Sequence, residues 1–315
     1  MCIRDSVKGA YKEQQAAAET AARRARDLGA TLLLARALTQ EARSFEKQGA
    51  LDDALRSAQE AARISEAAGE HAEVAKALTI TGIVRFDQGK FGEAADAYNR
   101  ALAMQRETGD MRGAATSLND LANALGEQGD LRQGKKMLEE GLAASQEIGD
   151  QERASTALYN LGEVLRWQGD LKGARKRYEQ AEALSKQIGD QSGVAYALYS
   201  LGDVSTAEGR FSAALDYYNQ SITLRTQMGE KGNVAESQMA LALLQFEEED
   251  AIGAESPLRE AREEFRKEGM RDDEILANIL LARILLVQGK LAEAQKESAG
   301  AVSYTHLTLP TILRV

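Results

Sequence analysis

Few side chains in this 315-residue chain could do chemistry, and they are scattered. The one cysteine is Cys2, the histidines are His71 and His306, and the prolines are Pro257 and Pro310. Nucleophilic catalysis needs a hydroxyl or thiol beside a general base, and a zinc site needs thiolates and imidazoles at short spacing. This sequence offers neither, and it has no glycine-rich phosphate loop after a strand. His71, just after Gly69-Glu70, reads as a solvated or capping residue. The run Glu247-Glu248-Glu249-Asp250 has the carboxylates for a hard cation, although such runs usually belong to a solvated surface. No catalytic residue, metal site or cofactor is therefore expected, and the chain is not read as an enzyme.

Side chains suited to recognition are better represented, and the composition says what must position them. Hydrophobic residues make up 43% of the chain, aromatics only 5% and charged residues 28%. Such an Ala-, Leu-, Glu-, Gln- and Arg-rich mixture with two prolines favours helix throughout. A net charge of −10 argues against a nucleic-acid partner, which requires gathered Lys and Arg. No uncharged run reaches the roughly 20 residues of a membrane span. The most apolar stretch, Ile275 to Val287, is interrupted by Asn278 and Arg283 and reads as a buried helix. A cytoplasmic location is expected, although neither cysteine pairing nor a leader marks it.

The two ends stand apart from the rest. Met1 to Ser6 can be encoded by ATG TGT ATA AGA GAC AGN, and the reverse complement of that string encodes Val-Ser-Tyr-Thr-His, found at Val302 to His306. Ends encoded by one inverted sequence resemble the transposon adapters of sequencing libraries, translated with the gene. Segments 1–6 and 302–315 are accordingly set aside as adapter-derived scars. Residues 7–301 are expected to form one domain.

Glycine sets the period of that domain. Gly9, Gly49, Gly89, Gly129, Gly169, Gly209 and Gly289 form one series with a 40-residue step, broken by Glu249. Gly29, Gly69, Gly109, Gly149, Gly189, Gly229 and Gly269 form a second series with the same step. Glycine just past a helix end adopts the left-handed conformation at no side-chain cost. These fourteen positions therefore predict hairpin turns, and an Asp after the glycine, as in Gly109-Asp110 and Gly169-Asp170, can cap the next helix. Helices are expected over about 31–48 and 51–68, 71–88 and 91–108, and so on to 271–288. A half-repeat over about 10–28 precedes them, and a further helix starts at Leu291 and is cut after Ala301.

Within the units, apolar residues recur three and four apart, as amphipathic helices require. Leu158, Leu161, Gly162 and Leu165 are followed by Leu171, Ala174, Tyr178 and Ala181; Leu198, Leu201 and Gly202 are followed by Phe211, Ala214 and Tyr218. Gly82, Gly162 and Gly202 stand inside helices, where glycine costs about 1 kcal/mol, so a partner must approach closely there. Ala122, Ala242 and Ala282 keep the same position small.

The order Leu161-Gly162, then Ala174, Tyr178 and Ala181, resembles the tetratricopeptide repeat (TPR) signature, lengthened by six residues and without its closing proline. The resemblance covers nearly all of 9–301 and implies an all-α, right-handed superhelical solenoid of antiparallel helix hairpins, about seven repeats long. It also implies that the first helix of each hairpin lines an inner groove. The candidate groove residues are then Asn119, Asn123, Tyr159, Asn160, Glu163, Arg166, Trp167, Tyr196, Tyr199 and Asp203. Tyr, Trp and Arg anchor interfaces most often, and the asparagines can pair with an extended peptide backbone. Tyr159 and Tyr199 read equally well as packing between hairpins. Asn123 stands at the asparagine place of the chaperone-tail carboxylate clamp, but Asn119 replaces its lysine, which argues against that ligand class.

Two irregularities remain. Glu249 replaces the turn glycine, and Pro257 falls inside the next helix, where a late start or kink is expected. A protein or peptide partner is expected, with no cofactor, no nucleic acid and no membrane, together with self-association through the cut end helices. The alternative is the sensor arm of a bacterial multidomain kinase, cyclase or transcription regulator. A third reading, an aspartyl-phosphate phosphatase or peptide sensor of the long-TPR class, requires an N-terminal helical bundle that this sequence does not show.

Overall fold

The computed structural model describes the backbone of residues 3–305 and the side chains of residues 11–298. Among the described residues there are fifteen α-helices and no strand. They fall into two compact units, 1–168 and 169–315. The first contains α1 (Ile3–Asp27), α2 (Thr31–Lys47), α3 (Leu51–Ala67), α4 (His71–Asp87), α5 (Phe91–Thr108), α6 (Met111–Glu127), α7 (Leu131–Glu147) and α8 (Gln151–Trp167). The second contains α9 (Leu171–Ile188), α10 (Gln191–Ala207), α11 (Phe211–Met228), α12 (Lys231–Glu247), α13 (Ala251–Glu268), α14 (Arg271–Val287) and α15 (Leu291–Thr305). Within each unit successive helices pack as antiparallel hairpins, the all-α solenoid read from the period.

The turns work as the glycine series implies. Thirteen of the fourteen glycines, Gly29 to Gly289, have positive φ. At Gly109 the closure is a Schellman motif: Gly109 N–H donates to the Arg106 carbonyl and Asp110 N–H to the Gln105 carbonyl. The carboxylates of Asp110, Asp130, Asp150, Asp170, Asp190 and Asp250 then each accept the backbone N–H three residues on, capping the next helix.

Gly9 is the exception, because it lies inside α1 rather than at a turn. Interior glycine costs a helix only about 1 kcal/mol, so α1 can run through it. The flanks set aside as scars are helical at 3–6 and 302–305, so α15 runs past Ala301; the remainder, 1–2 and 306–315, lies outside the described residues.

At the sixth hairpin the geometry survives the loss of glycine. Glu249 adopts φ of 67°, and no other non-glycine among the described residues has a positive value. Nor does Pro257 delay its helix: α13 begins at Ala251, in register, because Asp250 caps it through Gly253 N–H at 2.8 Å. All four side chains of the acidic run are exposed, and Asp250 is occupied by its capping bond.

The core is made of small residues matched to larger ones sixteen positions on. Gly82 faces the Tyr98 ring and Gly202 the Tyr218 ring. Ala122 packs with Leu138 and Ala242 with Leu258. Repeats are also laced by a C-terminal glutamine: Gln128 donates to the Phe91 carbonyl at 3.2 Å and Gln288 to the Ala251 carbonyl at 2.7 Å. Ion pairs 34 residues apart join successive second helices, among them Arg26–Glu60 and Arg100–Glu66. Each such exposed pair contributes about 0–1 kcal/mol. The apolar stretch near the end forms α14, which buries Leu281, Ile284 and Leu285 but leaves Val287 exposed.

Candidate functional site

In the first unit, five candidate residues lie on α8 and two on α6. Asn119 and Asn123 are four residues apart, hence one turn apart on the same side of α6. Asn160 donates to Asn119 Oδ1 at 2.9 Å. That bond occupies the Oδ1 of Asn119, which the sequence suggested for holding a peptide backbone; Asn123 is the exposed asparagine. Burial pushes the Asp120 carboxyl up to about 6, against the pull of the Asn119 bond and the Arg153 charge.

Arg153 ties this region together. Its guanidinium reaches Asp150 at 2.6 Å and Thr116 at 2.8 Å. Burial opposes ionisation of Asp150, but the Arg153 backbone N–H and the charges of Arg153 and Arg112 outweigh it and hold the carboxyl below the usual range. Farther along α8, Arg166 pairs with Glu163 at 2.7 Å. Tyr159 is partly buried, whereas Trp167 is 51% exposed and lies over Gly126 of α6. His71, read from sequence as solvated or capping, is half exposed and faces Glu107 in the last turn of α5 at 3.2 Å; Glu70 occupies the cap position.

In the second unit the aromatics surround a cation that sequence reasoning did not single out. Arg225 of α11 is fully buried. Its guanidinium carbon lies 4.9 Å from the Tyr196 ring centroid and 5.1 Å from that of Tyr199. Desolvated cation–π contacts of this kind contribute up to about 2 kcal/mol each. Nη1 donates to the Asn233 carbonyl at 2.6 Å and to Ser237 Oγ at 3.0 Å, and Glu236 lies 3.4 Å away. Nε and Nη2 have no hydrogen-bond partner. Asn233 also donates to the Tyr196 hydroxyl at 3.3 Å.

The Tyr199 ring packs at a tilt of 55° against that of Tyr218, with centroids 5.8 Å apart, and the Tyr218 hydroxyl donates to Asp203 at 2.8 Å. Burial and the Asp203 charge push the Tyr218 phenol well above its ordinary range. A signal for Arg225 was present in the sequence: the repeat-equivalent positions carry Ala25, Ser65, Gln105, Ser145, Ser185 and Phe265.

Among the described residues no group of His, Cys, Asp and Glu could hold a metal, and no helix is long and apolar enough to cross a membrane. Two clefts open at equivalent places in successive repeats of the second unit. One of about 510 Å³ is lined by Gly189, Val194 and Leu198, and one of about 650 Å³ by Gly229, Val234 and Gln238.

Hairpins of this length, with signature small residues at the helix crossings, define a TPR solenoid. The sequence matches the MalT-like TPR region over residues 149–307 and tetratricopeptide repeat families over 33–107 and 114–148. The chain belongs to the TPR family, with its second half of the MalT-like type. No curated protein sequence matches it significantly. Among solved structures, it is similar to the apo form of RapI, with TM-score 0.71 and 15% identity over 85% of this chain and 96% of that one. It is also similar to the Rap conjugation gene regulator of plasmid pLS20 in complex with the Phr* peptide, with TM-score 0.64 and 14% identity over 86% of this chain and 74% of that one. A third similar structure is a STAND signal-transduction ATPase with a tetratricopeptide repeat sensor from Pyrococcus horikoshii, with TM-score 0.70 and 12% identity over 86% of this chain and 42% of that one. At these identities the likeness is one of fold.

Proposed function

We propose that the chain is a protein-interaction scaffold whose first helices hold a peptide segment or helix of a partner. One observation carries this reading. Trp167 and Tyr196 are the two exposed aromatic side chains among the described residues, and both stand on first helices. Aromatics of this kind, half out of water on a rigid helix, are the usual anchors of an interface. Asn123 adds an open amide in the first unit. The neighbour whose structure contains the Phr* peptide is consistent with a peptide as the ligand.

The test is to pan a random dodecapeptide display library on the full chain, then on the Trp167→Ala and Tyr196→Ala variants. Recovery should fall about tenfold or more in at least one variant that melts normally. Unchanged recovery in both would sink the reading.

A second reading, the sensor arm of a multidomain signalling protein, is favoured by the MalT-like match and by the STAND neighbour, of which this chain spans 42%. Sequencing the source gene beyond both ends decides it: an adjoining ATPase, kinase or DNA-binding module supports it, and a stand-alone frame rejects it.

A further inference from the structure

We infer that Arg225, although it lies on a second helix and is fully buried, is the positioning residue for the aromatic surface formed by Tyr196 and Tyr199. This rests on the interaction reading above. The repeat itself is the first argument. Equivalent positions are buried as Ala25, Ser65, Gln105, Ser145, Ser185 and Phe265, so the architecture is completed six times without a charge there. A buried guanidinium with two unsatisfied nitrogens carries a desolvation cost that serine or phenylalanine avoids.

The second argument is geometric. The same hairpin carries the chain's one tyrosine at the Tyr196 register, where other repeats have Lys76, Thr116, Thr156, Glu236 and Leu276. The guanidinium lies against both rings while Nη1 is fixed to the Asn233 carbonyl and Ser237 of the next first helix. Asn233 in turn donates to the Tyr196 hydroxyl. One cation thus connects α10, α11 and α12 and sets the angle of both rings. Its Nε and Nη2 lack hydrogen bonds, so the ring contacts are what compensate that side of the group. Departures from a local rule that the fold does not require tend to mark function.

The experiment uses the full chain with Arg225→Met, which keeps length and burial, and Arg225→Lys, which keeps charge without the planar fork. Tyr196 and Tyr199 ring signals are followed by NMR, assigned through Tyr196→Phe and Tyr199→Phe. The random dodecapeptide library supplies the binding readout. Arg225→Met should still melt cooperatively, yet displace both ring signals and lower library recovery about tenfold, with Arg225→Lys giving partial rescue. Unmoved ring signals with unchanged recovery would overturn the role of Arg225. If Tyr196→Ala lowers recovery and Arg225→Met does not, the interaction reading stands and only this inference fails. If no variant in either unit alters recovery, both fail. Should Arg225→Met not fold, Arg225→Ser, the residue three other repeats carry, replaces it and is judged by the same readouts.

Discussion

The ring of Tyr218 fills the space that a β-carbon on Gly202 would need: an ideal Cβ there would lie 2.5 Å from Tyr218 Cε1. Gly82 and Tyr98 repeat the relationship, whereas Ala122 with Leu138 and Ala242 with Leu258 solve it with a larger floor and a smaller plug. Volume is conserved across each crossing, and a close-packed interior requires this.

Gly202→Ala should therefore destabilise the second unit by about 1–3 kcal/mol through overpacking, offset by up to about 1 kcal/mol of helix propensity. Combining it with Tyr218→Leu should recover most of the packing loss. A urea double-mutant cycle with a coupling near zero would refute the pairing.

Glu249 carries a left-handed backbone that glycine adopts freely. Glu249→Gly should stabilise the chain by about 1 kcal/mol and raise its melting temperature. An unchanged or lower urea midpoint would contradict the cost assigned to that φ.

Asp120 gives a pH prediction of definite sign. Its carboxyl titrates at about 6 when folded against 3.8 ordinarily, so between those values the native state binds more protons than the unfolded one. Stability from this group is therefore greatest below pH 4 and is lost as pH rises to 6, by roughly 1–3 kcal/mol. Asp120→Asn should stabilise the protein at pH 7 and flatten this part of the profile; an unchanged slope between pH 4 and 6 would count against it.

Asp170 accepts the Gly173 N–H at 2.9 Å at the start of α9. Asp170→Ala should cost about 1 kcal/mol, and Asp170→Ser or Asp170→Asn should recover most of it. Equal stability of all three variants in urea would mean the cap contributes nothing.

The succession of helices was legible from sequence alone. Glycine at a 40-residue step needs only local backbone sterics to end a helix, and the Asp after it needs only a nearby N–H. Both act within five residues, so no tertiary information is required. The irregular sixth turn shows the limit: Glu249 takes the left-handed conformation without being glycine, and α13 starts in register despite Pro257, under the cap of Asp250. Gly9 shows the converse, since the same residue type at the same register lies inside α1 and makes no turn.

The candidate surface was legible only in part. Register placed Asn119, Tyr159, Tyr196 and Tyr199 on first helices, but their spacing could not say which partners their polar groups had already taken. Tertiary packing decided that Asn119 accepts from Asn160, and that Asp203 accepts the Tyr218 hydroxyl. It also decided that Tyr196 and Tyr199 meet a buried Arg225 from another helix. Sequence alone determined where the helices between the glycine turns begin and end, because those signals are local. Which side chains are satisfied and which remain open depends on groups 15 to 41 residues apart meeting across helices, and only the folded chain brings them together.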